Sequence, residues 1–322
     1  MRAFQIADYG STPQFRDLPT PEPGPGEVRV RVEACGLNFA DLLMIEGRYQ
    51  ERPIPPVTLG MELAGVVDAL GRDTVGPPTG TRVAIYAGHG GLATTGCFPA
   101  ARCLPLPEAM PSTDAAGFAV AYGTSHLALD HRARLQPGET LVVFGAAGGV
   151  GLSAVEIGKA MGARIIAVAR GPERLQVAKA AGADELVDSD GGDLVETLRG
   201  LGRADVVYDP VGGDAFQAGF RAIKPQGRLL VIGFASGDIP QIPANILMVK
   251  NVDVIGLNWG GYLRFAPDIL DDSLRTLLSW YAEGRLKPHI GHVLPFEQAA
   301  EGLELLRDRK VTGKVVIRIS PR

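Results

Sequence analysis

The sequence predicts an α/β protein in which a doubly wound parallel sheet is inserted into a β-rich domain. Strands and helices alternate between residues 139 and 257, which is typical of a parallel sheet with helical crossovers. Residues 1–117 instead contain short alternating strands cut by turns rich in proline and glycine. A lone strand over Lys314–Ile319 closes the sequence. Because that strand needs partners, we expect it to return to the N-terminal domain.

Six apolar segments of strand length mark the alternating region. They are Thr140–Phe144, Arg164–Ala169, Glu185–Val187, Asp205–Tyr208, Arg228–Ile232 and Val252–Leu257. A helix is predicted over Pro172–Ala181, since proline suits its first position and Gly182 ends it. Such a sheet binds its ligand beyond the carboxyl ends of the strands, so the turns at those ends are candidate binding sites.

The β-rich part contains its own recognisable elements. Strands are predicted over Glu27–Glu33 and Leu63–Ala69, with turns at Pro19–Gly26 and Pro53–Pro56. Beyond residue 258 the spacing of apolar residues predicts two amphipathic helices, over Leu270–Gly284 and Phe296–Arg307.

A glycine-rich turn follows the first strand of the alternating region. Residues 145–151 read Gly-Ala-Ala-Gly-Gly-Val-Gly, and helical spacing continues over Leu152–Met161. Glycines let the backbone approach a ligand, Gly151 lets the helix pack closely, and the helix dipole favours an anion. The turn therefore predicts a dinucleotide pyrophosphate site. The expected contacts are Ala147, Gly148, Gly149 and Val150.

Composition limits the classes of function. A chain of 322 residues with 46% hydrophobic and 21% charged residues can bury a sizeable core. Its formal net charge of −4 argues against nucleic-acid binding, and no apolar run is long enough to span a membrane. The three cysteines cannot form a disulfide framework, and the N-terminus has no apolar signal-peptide core. We therefore expect a cytoplasmic protein.

Several motifs together resemble one superfamily. They are residues 34–41 (ACGLNFAD), 60–65 (GMELAG), 138–139 (GE), 146–151 (AAGGVG) and 312–316 (TGKVV). The sequence resembles the medium-chain dehydrogenase/reductase superfamily and, within it, the zinc-independent, zeta-crystallin-like NADPH:quinone oxidoreductases. The resemblance implies a GroES-like catalytic domain over residues 1–117 and 258–322, split by a Rossmann NADPH-binding domain over residues 118–257.

The resemblance also bears on metal binding. At the three positions that hold catalytic zinc in alcohol dehydrogenases of the superfamily, this chain has Asn38, Met61 and Ala116. A catalytic zinc needs three protein ligands, which methionine and alanine do not supply. The four closely spaced cysteines of the structural zinc loop are missing as well, since only Cys97 and Cys103 lie in that region. We predict a protein without a metal.

Other candidate ligands have simpler interpretations. Cys35, Cys97 and Cys103 are interpreted as small buried hydrophobic residues. His289 and His292 have the spacing of helical metal ligands, but Pro288 and Gly291 favour a loop there.

The second strand of the sheet bears on cofactor choice. NAD-preferring sites place an acidic residue at its end, where this chain has Ala169 followed by Arg170. Arg170 and Arg174 are suited to a forked contact with a 2′-phosphate, although both also fit a solvated helix face. The resemblance places a basic residue near Arg174 in NADPH-binding members, and we therefore predict NADPH.

Two residues are candidates for polarising the substrate. The resemblance implies that an asparagine and a tyrosine lie beside the nicotinamide, and Asn38 and Tyr49 match them. Neutral donors aimed at a carbonyl oxygen stabilise the negative charge that hydride transfer creates. Leu43 occupies the position of a second family tyrosine. The alternatives are a surface aromatic for Tyr49 and an Asx-type turn for Asn38.

Further cofactor contacts are expected from the turns at the carboxyl ends of the later strands and from family positions. They are Thr124, Val211, Gly233, Phe234, Ala235, Asn258 and Lys314.

These features predict a zinc-independent NADPH:quinone oxidoreductase whose partner is a small quinone or enone. One alternative is an NADPH-dependent reductase of activated alkenes, such as enoyl thioesters or alkenals. A second is a non-catalytic NADPH-binding redox sensor. The resemblance also implies a homodimer, and an exposed strand near Leu257 would extend the sheet across a twofold axis.

Overall fold

The structure is a computed structural model that describes residues 1–320, and the chain divides into two compact units. The first comprises Met1–Val120 and the segment from Pro288 onward, and the second is Ala121–Lys287. The boundary expected at residue 258 differs from this division. The reason is a helix over Pro267–Ala282, whose Ser273 hydroxyl lies 2.8 Å from the His126 ring, within the second unit.

The regular elements are numbered in chain order. The strands are β1 (Arg2–Ile6), β2 (Gln14–Asp17), β3 (Glu27–Leu37), β4 (Val57–Thr58), β5 (Glu62–Leu70), β6 (Arg82–Tyr86), β7 (Thr95–Pro99), β8 (Cys103–Pro105), β9 (Thr140–Phe144), β10 (Arg164–Ala169), β11 (Glu185–Asp188), β12 (Ala204–Asp209), β13 (Ile223–Val231), β14 (Asp253–Gly256), β15 (Ile290–Pro295) and β16 (Lys314–Arg318). The helices are α1 (Phe39–Ile45), α2 (Ser112–Ala116), α3 (Ala119–His126), α4 (Gly149–Ala160), α5 (Pro172–Ala180), α6 (Leu194–Gly200), α7 (Gly213–Ala222), α8 (Ala244–Lys250), α9 (Tyr262–Phe265), α10 (Pro267–Ala282) and α11 (Ala299–Arg307).

The second unit is built on a six-stranded parallel sheet. Its strand order is β11-β10-β9-β12-β13-β14, so the order reverses direction between β9 and β12. This is the doubly wound topology that the sequence predicts, and all six predicted strands are confirmed. Ligands of such sheets bind at the reversal point, beyond the strand carboxyl ends. The turns after β9 and β12 are therefore the relevant ones.

Packing explains why α4 lies close against this sheet. All five residues of β9 are buried, as expected for a central parallel strand. A Cβ atom at Gly158 of α4 would lie only 2.6 Å from Leu141 Cδ2 and 2.9 Å from Ile165 Cδ1. Because glycine has no Cβ, the helix approaches β9 and β10 directly.

The first unit contains two sheets. One has the order β2-β1-β4, and the other has the order β15-β16-β3-β5-β6-β8, with β7 also paired to β3. β16 pairs antiparallel with β3, with Val315 opposite Leu37, which confirms the predicted return of the last strand. β3 continues to Leu37, four residues past its predicted end, so that Asn38 begins α1.

Within residues 1–320, no helix is both long enough and apolar enough to cross a bilayer.

Candidate functional site

The glycine-rich turn after β9 is tightly closed. Gly145 adopts φ +58°, and the Gly148 N–H donates to the Gly145 carbonyl oxygen at 2.9 Å. A Cβ atom at Gly151 would lie 2.1 Å from that same oxygen. Since backbone occupies the space, only glycine at position 151 allows α4 to begin this close to the turn.

The N-terminus of α4 is suited to an anion. Gly148 is the N-cap residue, no side chain caps the helix, and its first turn contains no acidic residue. The structure places Gly149 and Val150 in that first turn, and Ala147, two residues before it, is buried. The first-turn N–H groups and the dipole of this 12-residue helix together favour a phosphate.

Two neighbouring turns lie against this one. A Cβ atom at Gly145 would be 3.2 Å from Val211 Cγ2, and one at Gly233 would be 3.3 Å from the Pro210 carbonyl oxygen. That oxygen also accepts a hydrogen bond from the Ala235 N–H at 3.1 Å. The turns after β9, β12 and β13, each predicted to contact the cofactor, therefore lie together at one end of the sheet.

Asp209 organises the turn after β12. Its Oδ1 accepts hydrogen bonds from the N–H groups of Val211 at 2.8 Å and Gly212 at 3.0 Å. The side chain is 1% exposed, and burial raises the pKa of this carboxyl while the two hydrogen bonds lower it. The turn was predicted from the sequence but the role of Asp209 was not, although an aspartate that ends a strand before Pro-x-Gly-Gly signals an Asx-type turn.

A buried hydroxyl cluster holds the start of α4. Ser125 Oγ lies 2.9 Å from the Val150 carbonyl oxygen, 2.8 Å from Ser153 Oγ and 2.9 Å from Tyr208 OH. These residues were not predicted from the sequence, because hydroxyl groups in apolar elements carry no periodic signal. The predicted contact Thr124, next to Ser125, is itself 8% exposed.

Two other predicted contacts of the second unit are on its surface. Phe234 is 39% exposed, and Asn258 is exposed. Trp259, which follows Asn258, is buried, and Gly123 of α3 provides the space for its indole ring.

Acidic residues lie beside the predicted 2′-phosphate arginines. Arg170 Nε is 3.3 Å from Asp190 Oδ2, and both side chains are about two-thirds exposed. Asp188 accepts hydrogen bonds from the N–H groups of Asp190 and Gly171, which lower the pKa of the Asp188 carboxyl. Arg174 lies half-buried in the first turn of α5. Neither aspartate was predicted from the sequence, because Asp188 ends β11, Asp190 follows it, and both lie some 20 residues from Arg170.

In the first unit, Asn38 belongs to a buried ionic cluster. Its Nδ2 donates to Glu62 Oε1 at 3.0 Å, and its Oδ1 accepts from Lys314 Nζ at 2.7 Å. Lys314 and Glu62 form an ion pair with an N–O distance of 2.8 Å, and their side chains are 7% and 1% exposed.

Lys314 does not match its predicted role as a cofactor contact. Its Nζ donates to Glu62 Oε1, to Asn38 Oδ1 and to the Leu37 carbonyl oxygen, so all three ammonium protons have acceptors inside the first unit. No local sequence pattern predicts this arrangement, because it forms only when β16 pairs with β3.

Asp41 holds the backbone next to the same cluster through two hydrogen bonds. Its Oδ2 accepts the Asn38 backbone N–H at 2.8 Å, and its Oδ1 accepts the Gly60 N–H at 3.2 Å. The side chain is fully buried, and burial raises the pKa of this carboxyl to about 7 against the lowering effect of the hydrogen bonds and of Lys314. Asn38 therefore stands at the start of α1, with its backbone N–H held by Asp41 and its amide held by Glu62 and Lys314.

Tyr49 lies on the loop after α1 and is half-buried. Its hydroxyl forms a hydrogen bond with Tyr86 at the end of β6. Burial raises the pKa of both hydroxyls, so each stays protonated at neutral pH and can donate a hydrogen bond. Tyr86 is not among the residues predicted from the sequence.

Comparison with known proteins relates both units to one family. Residues 24–108 match the family described as "Alcohol dehydrogenase GroES-like domain", and residues 149–279 match "Zinc-binding dehydrogenase". Among curated relatives, the "Quinone oxidoreductase-like protein 2" of Bos taurus is 41% identical over 303 residues, which cover 92% of this chain and 87% of that protein. The chain belongs to the quinone oxidoreductase family of the medium-chain dehydrogenase/reductase superfamily.

Solved structures agree with that assignment. A quinone oxidoreductase from Thermus thermophilus, studied alone and with NADPH, is 38% identical with a TM-score of 0.89, and the match covers 99% of this chain and 100% of that one. The Escherichia coli quinone oxidoreductase complexed with NADPH is 27% identical with the same TM-score, and the match covers 99% of both chains. Family membership makes this chain an oxidoreductase and confirms the predicted fold class.

One matched family description names zinc, and the three zinc positions of the superfamily can be located here. Met61 and Ala116 are buried, and Asn38 is held by Lys314 and Glu62. A Cβ atom at Gly36 would lie 2.1 Å from the Ala116 carbonyl oxygen and 3.0 Å from Glu62 Oε1, so Gly36 lies in close contact with both residues. Over residues 1–320, no three His, Cys, Asp or Glu side chains gather as metal ligands.

The histidine pair does not form a helical metal site. His292 belongs to β15 and His289 precedes it, so the expected loop is partly a strand. The His289 ring bonds the Thr312 hydroxyl at 3.0 Å.

Proposed function

We propose that this oxidoreductase transfers hydride from NADPH to a quinone without a metal. The observation that carries the proposal is the cluster of three turns at the carboxyl ends of β9, β12 and β13. Its uncapped α4 N-terminus would take the pyrophosphate. The NADPH named for the Thermus thermophilus and Escherichia coli relatives supports the same cofactor here.

The residues fit NADPH in particular. Gly149 and Val150 would hold the pyrophosphate through their N–H groups, while Gly148, whose own N–H is bonded to the Gly145 carbonyl oxygen, would let the backbone approach it. Ala169 presents no carboxylate at the end of β10, so nothing at that position repels a 2′-phosphate, and Arg170 and Arg174 would bind it. The ion pair with Asp190 is exposed, so Arg170 can exchange this partner for a phosphate at little cost.

When bound, NADPH supplies the hydride. The side chains of the protein act on the carbonyl oxygen that becomes negative as the quinone is reduced. We assign the Tyr49 hydroxyl and the Asn38 amide to that oxygen as neutral hydrogen-bond donors. Both hydroxyls of the Tyr49–Tyr86 pair remain protonated at neutral pH, so Tyr49 retains its proton to donate.

We propose that no metal takes part. Methionine and alanine at positions 61 and 116 leave a catalytic zinc without two of its three protein ligands. Protein purified without added zinc should be fully active and contain no stoichiometric metal. One tightly bound zinc per chain by elemental analysis, with activity lost to a chelator, would contradict this assignment.

We also propose a homodimer formed through β14. This strand ends the six-stranded sheet, and two large apolar residues just before it, Met248 and Val249, are 73% and 72% exposed. Pairing β14 with its copy across a twofold axis would continue the sheet.

A reducing compartment such as the cytoplasm suits the three free cysteines.

The test is NADPH oxidation measured across quinones, enones and acyl thioesters. We expect turnover with quinones at the highest kcat/KM. Faster turnover of enoyl thioesters or alkenals would replace the proposal with an activated-alkene reductase. NADPH binding without turnover of any acceptor would replace it with a redox sensor.

A further inference from the structure

We propose that Lys314 and Glu62 are positioning residues for Asn38. Their buried ion pair fixes the orientation of the Asn38 carboxamide, and the Lys314 charge strengthens the amide N–H as a donor to the substrate carbonyl oxygen. This inference rests on the proposed function, which assigns Asn38 to that oxygen.

The chemistry of the two partners determines how the amide is oriented. Lys314 can only donate hydrogen bonds, and it lies 2.7 Å from Asn38 Oδ1. The Glu62 carboxylate accepts, and its Oε1 lies 3.0 Å from Asn38 Nδ2. Rotating the amide by half a turn would place its NH₂ on the ammonium and its oxygen on the carboxylate. Both contacts would then be repulsive, so one orientation is strongly favoured.

The two partners are themselves held in place. Lys314 donates its third proton to the Leu37 carbonyl oxygen at 2.8 Å, and Glu62 Oε2 accepts the Val120 N–H at 2.9 Å. Two glycines, which have no side chain, leave room for both groups. A Cβ atom at Gly36 would lie 3.0 Å from Glu62 Oε1, and one at Gly117 would lie 3.3 Å from Lys314 Cβ.

One amide proton remains weakly bound. Asn38 Nδ2 has Glu62 as its close acceptor, and its other contact, the Gly36 carbonyl oxygen, is 3.5 Å away. A hydrogen bond of that length is weak, so this N–H can be shared with a further acceptor. The Lys314 ammonium that donates to Oδ1 draws electron density from the nitrogen through the amide, which makes the same N–H a stronger donor.

If the Lys314–Glu62 ion pair served only the stability of the fold, its removal would affect kcat differently. Buried ion pairs often add little stability beyond what hydrophobic residues of similar volume provide. If Lys314 acts through Asn38, its removal should lower kcat only while Asn38 is present. If it serves the fold alone, its removal should have the same effect whatever residue occupies position 38.

The experiment is a double-mutant cycle on the full-length protein with NADPH and a quinone. The variants are Lys314→Met, Asn38→Ala and the double mutant. Lys314→Met should lower kcat at least tenfold, the lower end of the roughly 10- to 100-fold expected for losing a charged hydrogen bond, with KM for NADPH unchanged. In the Asn38→Ala background, the same substitution should change kcat less than about twofold.

Arg228→Met is the matched control. It removes another partly buried ion pair, Arg228 with Glu139 at 2.7 Å, in the other unit of the chain. This variant should lose stability while its kcat remains that of the wild type. Glu62→Gln, which keeps the side-chain shape, replaces Lys314→Met in the cycle if the latter does not fold.

A second readout does not depend on turnover. The side-chain amide of Asn38 can be observed by NMR in protein labelled with ¹⁵N-asparagine and assigned by its loss in Asn38→Ala. Lys314→Met should move this resonance and Arg228→Met should not.

The outcomes separate the two proposals. Equal losses of kcat in both backgrounds, or an unmoved Asn38 resonance, would overturn the positioning role. If the wild type reduces no acceptor, the proposed function fails, while the NMR comparison still tests whether Lys314 holds the amide.

Discussion

Replacing Gly151 by alanine should damage cofactor binding through a purely steric effect. The added Cβ would lie 2.1 Å from the Gly145 carbonyl oxygen and 2.7 Å from its carbonyl carbon. Because real Cβ contacts are not shorter than 3.0 Å, the turn and α4 must separate by about 0.9 Å (3.0 − 2.1). Overpacking of this kind costs about 1–3 kcal/mol of the free energy of unfolding.

The same separation moves the N–H groups that would hold the pyrophosphate. Losing one hydrogen bond to a charged group costs about 1.5–3 kcal/mol, or roughly 10- to 100-fold in affinity. We therefore expect the Kd for NADPH of Gly151→Ala to rise at least tenfold. The Kd for NADH should rise by a similar factor, since both cofactors share the pyrophosphate.

Calorimetric titration and urea unfolding measure the two effects. Gly200→Ala is the control, because within residues 1–320 a Cβ at that helical position would meet no heavy atom within 4 Å apart from its chain neighbours and the backbone of its own helix. This variant should bind NADPH like the wild type and unfold at an equal or higher urea concentration. Wild-type affinity and wild-type stability in Gly151→Ala would refute the steric reasoning.

Three further predictions concern other parts of the two sites. Tyr49→Phe removes one donor to the carbonyl oxygen and should raise the activation free energy derived from kcat/KM by about 1–2 kcal/mol. The effect is modest because a quinone is readily reduced and the Asn38 donor remains. Unchanged kinetics with several acceptors would show that Tyr49 is only a surface aromatic. Replacing Arg170 and Arg174 together by alanine should raise the Kd for NADPH at least tenfold and leave that for NADH nearly unchanged, as measured by titration at low and high salt; equal losses for both cofactors would show that these arginines do not read the phosphate. The pKa of Asp41 is raised to about 7, so from about pH 4 to pH 7 the folded state keeps a proton that the unfolded state has released. The free energy of unfolding contributed by this group therefore falls as pH rises through that window, and urea unfolding of Asp41→Asn should lack this part of the wild-type pH dependence.

Much of the second unit could be predicted from the sequence. Its strands are short, nearly continuous apolar runs separated by helices, and a parallel sheet buried on both faces requires that pattern. The glycine-rich turn could be recognised as well, because Gly145 and Gly151 serve backbone conformation and close approach, both of which depend on neighbours in the chain. Element type and order follow from such local signals.

The boundary between the units was less accessible to sequence reasoning. The contact between Ser273 of α10 and His126 joins residues 147 positions apart, and no periodicity within α10 reveals its partner. The acidic neighbours of Arg170 were missed for the same reason, since Asp190 reaches it only through the parallel pairing of β10 with β11.

The sequence by itself determined the α/β class, the succession of parallel strands along the chain, the phosphate turn and the absence of zinc-binding residue types at positions 38, 61 and 116. These depend on residue chemistry and on spacing within one element. Only the tertiary structure decided what Lys314 does. Its ammonium reaches Asn38 and Glu62 because β16 pairs with β3, bringing together residues more than 250 positions apart. Contacts of that kind follow from the strand pairing of the whole chain, which no local pattern records.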